Sequence, residues 1–252
     1  MFEPLAEWLP HCGADVLCLQ EVTRTPGLAG WTRFDDGERT LPQRANLFED
    51  VRAALPRHQA MFLASDAGPV SDGGGSVHVQ DFGLATFVDE CIPVIGQAAA
   101  FVHSSFVEHH EWAIADRPRI AHAVRFVDRD AGHIVTVAHL HGLRDPDGKA
   151  DTPARRAQAE RLASLVADIR MAGDLAVVCG DFNVLPDSET FAVLGALGLV
   201  DLVGTTDTRA SRYPKPVRHA NYLLVSDPEA VKQFEVLQAP EVSDHRPLVL
   251  DL

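Results

Sequence analysis

The sequence predicts one α/β domain, a sandwich of intermixed helices and strands rather than a barrel or a Rossmann sheet. Its 252 residues suffice for one large domain with a substantial core, and no linker-like stretch divides them. Short apolar runs typical of buried strands recur along the chain. Amphipathic helical stretches lie among these runs without the strict strand–helix alternation of a parallel sheet.

In the N-terminal half, apolar residues at helical spacing predict helices over residues 4–11 and 47–55, the second stopped by Pro56. Between them, the apolar run 16–22 predicts a buried strand that delivers Glu21 to its tip. The stretch 65–76 ends in SDGGGS and predicts a flexible loop. Further strands are predicted over 82–88, 122–127 and 134–141.

In the C-terminal half, the clearest helix starts at Thr152, an N-cap candidate followed by Pro153, and is expected to stop near Gly173. A fully apolar strand over 175–183 follows, and a short helix covers 189–197. Two strands, 222–225 and 248–252, complete the predicted elements.

Charge and composition restrict the partners of the protein. Lys and Arg total 22 against 36 Asp and Glu, a formal charge of −14, which opposes general adhesion to DNA or anionic membranes. The N-terminus does not resemble a signal peptide, and no apolar run reaches the length of a membrane span. The four cysteines form no CxxC pair, which favours buried thiols over a disulfide framework. We therefore expect a cytoplasmic protein.

Polar residues follow four separate apolar strands. Because such positions lie where a sheet edge opens into a cleft, their combination predicts a functional site, although each alone is weak evidence. They are Glu21, His139 with His141, Asp181 with Asn183, and Asp244 with His245.

These residues belong to motifs that resemble a known family. LQEV at 19–22, GDFN at 180–183 and SDHRPL at 243–248 resemble, in order and spacing, the motifs of the endonuclease/exonuclease/phosphatase superfamily, also called DNase I-like. HLHG at 139–142 is a fourth match, and the segments 148–158 and 208–226 look like one bacterial branch. The resemblance covers nearly the whole chain and implies a four-layer sandwich, in which two central β-sheets are flanked by helices.

The resemblance also implies a hydrolase that cleaves a phosphodiester or phosphomonoester with Mg²⁺ or Mn²⁺. Glu21 matches the metal ligand, with Asp244 close enough to assist, and both ions prefer carboxylate oxygens. Asp181 matches the residue that orients or deprotonates the attacking water, and Asn183 the residue that holds it. His245 would donate a hydrogen bond to a phosphoryl oxygen or hold a proton.

Further site residues are expected on the substrate side. His141 is the candidate general acid, and His139, two residues earlier on the same face of the strand, is a possible substrate contact. The run 208–218 has four cationic residues and no acid, so it is either a solvated loop or a binding site for a substrate phosphate. Within it Arg209 is the first candidate for substrate binding.

Two features depart from the family pattern. The family opens with a strand carrying an Asn, which should precede the first helix, so the domain over 1–252 apparently lacks its first strand. Either the chain was assigned too late a start, which we favour, or the strand is missing. Asn221 stands where the family usually has Asp, and it would hydrogen-bond the catalytic His without stabilising its charge.

Two rival functions remain open. A catalytically impaired family member could bind phosphorylated ligands without cleaving them, as Asn221 and the absent strand suggest. A lipid phosphodiesterase would need an apolar lip, and no aromatic cluster indicates one. The sequence leaves open the natural substrate, nucleic acid or small phosphoester, and also endo- versus exo-cleavage and the oligomeric state.

Overall fold

A computed structural model describes residues 2–113 and 115–252. Its helices are α1 (Phe2–Trp8), α2 (Leu47–Ala54), α3 (Pro153–Ile169) and α4 (Glu189–Gly195). Its strands are β1 (Val16–Arg24), β2 (Trp31–Asp35), β3 (Thr40–Arg44), β4 (His58–Ser71), β5 (Val77–Asp89), β6 (Val94–His103), β7 (Val107–Glu108), β8 (Arg119–Asp128), β9 (His133–His141), β10 (Leu175–Asp181), β11 (Val200–Asp201), β12 (Asn221–Val225), β13 (Gln233–Val236) and β14 (Leu248–Asp251). Within these residues, no helix is long and apolar enough to cross a membrane.

Two sheets pack face to face, as the predicted sandwich requires. The first has the order β1-β5-β4-β2-β3, with β7 added beside β4, and the second has the order β11-β12-β10-β9-β8-β6. Helix α2 packs on the outer face of the first sheet, where Phe48 and Val51 meet Phe87. Helix α3 packs on the second sheet, and its Leu162 is part of the largest apolar cluster. The α/β fold with two helix-flanked sheets is therefore confirmed.

One parallel pair determines where the carboxyl ends of the central strands lie. Strand β9 passes into α3, and α3 returns to β10, which pairs with β9 in parallel. Thr152 caps the helix through its hydroxyl, which accepts a hydrogen bond from the Arg155 backbone, as predicted, and Pro153 begins it. Because the strands run in the same direction, the polar residues after β9 and β10 meet at one edge of the sheet.

The expected loop over 65–76 is wrong for residues 65–71, which are strand, and correct only for 72–76. Strand β4 continues to Ser71, and only a tight turn over Asp72–Ser76 separates it from β5. The turn closes on the Asp72 carboxylate, which accepts hydrogen bonds from the Gly74 and Ser76 backbones at 2.8 and 2.9 Å. Pairing with β5 gives the backbone of residues 66–71 hydrogen-bond partners, although their composition alone favours a loop.

Strand β1 has one partner among the described residues, β5. Its run Leu17–Leu19 is apolar on both faces, a pattern typical of a central strand, yet these residues are only partly buried. Strand β1 is therefore an edge of this sheet among the described residues. The absent first strand expected from the family pattern stays a prediction.

The loops after β9 and β10 touch so closely that only glycine fits between them. The Gly142 backbone donates a hydrogen bond to the Asp181 carbonyl at 2.5 Å. A Cβ atom at Gly142 would lie 2.3 Å from the Phe182 carbonyl oxygen, far inside van der Waals contact. The glycine therefore sets the spacing of the two strand ends.

We expect Gly142→Ala to lower the free energy of unfolding by about 1–3 kcal/mol, the usual cost of forcing extra atoms into a packed site. Gly195→Ala is the matched control, because a Cβ there meets no heavy atom within 4 Å and alanine favours helix. Urea unfolding of both variants measures the difference. A Gly142→Ala variant as stable as the parent would contradict this packing account.

Candidate active site

Three neighbouring strands place three polar side chains in one row. In the second sheet, Asp181 at the end of β10 is the register partner of His141 at the end of β9. It is also the partner of Asn221 at the start of β12. Neighbouring residues on paired strands point to the same face, so the pairing itself brings these groups together. The row is the centre of the candidate site.

The turn after β10 fixes Asp181. Asn183 adopts a left-handed backbone with φ 54°, a conformation that asparagine tolerates better than most residues. Its backbone N–H donates to Asp181 Oδ1 at 3.0 Å, and its side-chain amide donates to the Gly142 carbonyl at 3.4 Å. Asp181 is therefore held through one carboxylate oxygen, and Oδ2 faces the rest of the site.

His245 lies beside that oxygen with a defined tautomer. Its Nδ1 is 2.5 Å from Asn221 Oδ1, and its Nε2 is 3.6 Å from Asp181 Oδ2. Since an amide oxygen only accepts, Nδ1 carries the proton. The lone pair on Nε2 then accepts a hydrogen bond from Arg209 Nη1. Both ring nitrogens of His245 are thus used, one by Asn221 and the other by Arg209.

Arg209 occupies the middle of the site, and its guanidinium is buried. Its Nη1 donates to Asp244 Oδ2 at 2.8 Å, and its Nη2 lies 4.0 Å from Asp181 Oδ2. The guanidinium carbon lies 4.2 Å from the centre of the Tyr213 ring, which holds it in place. Its Nε has no hydrogen-bond partner although it is buried. The structure therefore brings Arg209 into the cluster with a donor to spare.

Glu21 enters the site from the other sheet, at a bulge rather than at a strand tip. The β1–β5 register shifts between Leu19 and Val22, and Glu21 has a left-handed φ of 57°. Its carboxylate is 62% exposed, and Oε1 lies 3.6 Å from His141 Nε2. The bulge turns the carboxylate out of the sheet towards the row on the second sheet.

Sequence reasoning missed Arg119, which is buried beside His141. Its Nη1 lies 3.4 Å from His141 Nδ1, and its Nε has no partner. Burial, with the nearby Arg117, lowers the pKa of Arg119 to about 10. Strand β8 is antiparallel to β9, so its first residue lies at the same edge as the end of β9. The signal was an arginine directly before an apolar strand, in the run Arg117–Arg119.

His141 is neutral and has the opposite tautomer to His245. Burial lowers its pKa well below the ordinary value, and the charges of Arg119 and Arg117 lower it further. Because a guanidinium only donates, Nδ1 accepts from Arg119 and Nε2 carries the proton. His141 therefore offers a neutral N–H towards Glu21 and Asp181, rather than a charged imidazolium.

One family model matches nearly the whole chain. The model of the endonuclease/exonuclease/phosphatase family covers residues 2–245. The chain belongs to that family. Among curated protein sequences, none matches this chain.

Solved structures of similar fold include other members of the family. An endonuclease/exonuclease/phosphatase from Bacteroides vulgatus is 21% identical, with a TM-score of 0.66, over 98% of this chain and 87% of that one. A mannosyl-6-phosphatase from Bacteroides thetaiotaomicron is 18% identical, with a TM-score of 0.65, over 98% and 88%. TDP2 from D. rerio, complexed with a single-stranded DNA product, is 13% identical, with a TM-score of 0.63, over 98% and 89%. At these identities the likeness concerns the fold.

Two carboxylates of this cluster have the chemistry that a hard cation with water ligands prefers. Among the described residues, no three His, Cys, Asp or Glu side chains are grouped as a closed metal site would need. Mg²⁺ usually binds one or two carboxylates and retains water and substrate oxygens. Glu21, exposed at the bulge, and Asp244, half-exposed beside Arg209, are the carboxylates that fit this pattern.

His139 is buried between the two sheets and does not line the site. Its Nε2 is 2.8 Å from the Thr86 hydroxyl, and its Nδ1 is 3.2 Å from the Gln20 amide nitrogen. The same hydroxyl is 2.7 Å from His122 Nδ1. The Gln20 amide donates, so His139 donates to Thr86 and Thr86 donates to His122. Both nitrogens of His139 are used in the core, which argues against the expected substrate contact.

The buried hydrogen-bond network of His139, Thr86 and His122 makes the free energy of unfolding depend on pH. Burial lowers the pKa of His122 to about 4, and burial with the neighbouring His122 lowers that of His139 to about 3. The unfolded histidines titrate near 6.5. Below that pH the unfolded chain takes up protons that the folded chain does not, so stability falls as the pH falls.

We expect the free energy of unfolding to be lower at pH 5.0 than at pH 7.5. His122→Asn keeps an acceptor for Thr86 and should reduce that difference by roughly 1–2 kcal/mol. His133→Asn, at an exposed position at the start of β9, is the matched control and should leave the difference unchanged. Urea unfolding at the two pH values tests this, and an equal loss in parent and His122→Asn would contradict it.

Proposed function

We propose that the protein is a divalent-metal-dependent phosphoesterase that hydrolyses a phosphodiester or phosphomonoester by attack of water on phosphorus. The observation that carries the proposal is the placement of Asp181 Oδ2, 3.6 Å from Nε2 of His245 and 4.0 Å from both Arg209 and His141. A carboxylate base, a cationic guanidinium and a neutral N–H donor converge there on one small volume, as water attack on a charged ester requires.

Asp181 and the two histidines have separate roles. Asp181 Oδ2 accepts a hydrogen bond from the attacking water, orients it and takes the proton that the water loses, while Asn183 keeps the carboxylate in place. Asn221 fixes the ring of His245, whose Nε2 holds Arg209. His141 donates a hydrogen bond from its Nε2–H to the ester and stays neutral. Its role is therefore hydrogen bonding and not the general acid catalysis expected from the sequence.

The arginines stabilise the charge of the phosphoryl group. Arg209 and Arg119 are buried, and each has an Nε–H without a protein partner. A phosphoryl oxygen would satisfy such donors, and charge-assisted bonds of this kind are the stronger class. Glu21 and Asp244 would hold Mg²⁺ or Mn²⁺, which when bound neutralises phosphoryl oxygens and the leaving oxygen.

The formal charge of −14 favours a small or single-stranded ester over long duplex DNA. The structural neighbours are associated with both small esters and single-stranded DNA, since one is a mannosyl-6-phosphatase and another holds a single-stranded DNA product. We propose a protein without membrane association, located in the cytoplasm, and a single domain over the whole chain.

The second candidate is a binding module that no longer cleaves its ligand. The contact that favours it is Asn221 Oδ1 with His245 Nδ1, because a neutral amide orients the ring but does not stabilise an imidazolium as a carboxylate does. Against it stand the ordered turn around Asp181 and the convergence of HLHG, GDFN and SDHRPL, which bring His141 and His245 to Asp181.

We expect metal-dependent hydrolysis of bis-p-nitrophenyl phosphate with Mn²⁺ or Mg²⁺, abolished by EDTA. Asp181→Asn keeps the shape but removes the base, so kcat should fall at least about a hundredfold. Asp187→Asn, an exposed position on the loop before α4, is the matched control and should retain the parent rate. A folded, metal-loaded protein with no turnover would favour the binding module.

A further inference from the structure

The loop between β9 and α3 has a fixed shape. Arg155, in the first turn of α3, is only 1% exposed. Its Nη1 donates to the Ala150 carbonyl at 2.5 Å, and its Nη2 donates to the Gly148 carbonyl at 2.7 Å. Gln158 accepts a hydrogen bond from the Leu143 backbone at 2.8 Å and anchors the start of the loop. A buried guanidinium thus grips the residues on both sides of Lys149.

The side chain of Lys149 reaches from this loop to the next one. Its Nζ donates to the His219 carbonyl at 2.5 Å, just before β12 begins. One of its three donors is used by this neutral partner, and an ammonium group has no acceptor capacity of its own. Lys149 therefore reaches the segment that leads, two residues later, into Asn221 of the row, and it has donors to spare.

The surroundings of Lys149 are mostly cationic. Burial lowers its pKa to about 8, and the charges of Arg209, Arg155 and Lys215 also lower it, while Asp181 raises it. Two of these groups, Arg209 and the exposed Lys215, belong to the loop 208–218, which contains no acid. In a protein of formal charge −14, this is a local concentration of positive charge. A bound anion would relieve the repulsion among these groups.

We propose that Lys149 binds a second anionic group of the substrate, adjacent to the phosphoryl group that is hydrolysed. The inference rests on the proposed function and adds a substrate class, phosphoesters with a second negative charge close to the scissile ester. A bisphosphorylated nucleotide and a sugar bisphosphate share this chemistry. Arg155 is a positioning residue, since it acts by fixing the backbone of Lys149.

Calorimetric titration in EDTA tests the proposal without turnover. The probes are thymidine 3′,5′-bisphosphate and fructose 1,6-bisphosphate, each compared with its monophosphate. The proteins are the parent, Lys149→Met, Lys149→Arg and the control Lys232→Met, which removes an exposed lysine that donates to the carbonyl of Leu252.

For Lys149→Met we expect the Kd of a bisphosphate to rise about tenfold, as loss of a charge-assisted bond implies, and that of the monophosphate less than about twofold. Lys149→Arg should retain most of the affinity, and Lys232→Met all of it. A loss with the nucleotide alone, or with the sugar alone, identifies the source of the second anion.

Equal losses for bisphosphate and monophosphate would overturn the proposal, because Lys149 would then bind the first phosphate or only support the fold. Equal affinity of the parent for both ligands, or no loss in Lys149→Met, would overturn it as well. The proposed hydrolysis is tested separately by turnover of the parent with Mn²⁺, so either idea can fail while the other stands.

Discussion

The pairing of β10 with β9 on one side and β12 on the other is the constraint on which the site depends. Register alone aligns His141, Asp181 and Asn221, and the following segments then bring His245 and Arg209 against that row. Backbone hydrogen bonds and close packing around Gly142 maintain this alignment, so the reactive groups need little support from mobile side chains. A shift of one residue would turn Asp181 to the opposite face of the sheet.

Charge is distributed unevenly around that row. The chain as a whole is acidic, yet Arg209, Arg119 and Lys149 are buried or half-buried at one edge of the sandwich. Desolvation lowers the pKa of Arg119 and Lys149, so positive charge is held there at a free-energy cost. A phosphorylated ligand would offset that cost. The same positive charge therefore supports both the proposed hydrolysis of a phosphoester and the proposed preference for a second anionic group.

The sequence predicted the fold class, the family and the strand ends that meet at the site, because motif order and apolar runs depend on local pattern. It did not predict the long β4–β5 hairpin, since cross-strand pairing along the whole hairpin overrides a Ser- and Gly-rich composition. Nor did it identify Arg119 or Lys149 as candidate site residues. Their environments depend on the pairing of β8 with β9 and on the hydrogen bonds of Arg155 to a loop, and both are tertiary contacts. For the same reason it placed His139 in the site and not in the core.

The most direct test of the central claim, water attack on phosphorus at this row, is to follow the oxygen. Hydrolysis of bis-p-nitrophenyl phosphate in H₂¹⁸O with Mn²⁺ should place the label in the p-nitrophenyl phosphate product, as mass spectrometry would show. Label in p-nitrophenol would mean attack on carbon and would contradict the account, as would turnover that proceeds without incorporating solvent oxygen into the phosphate.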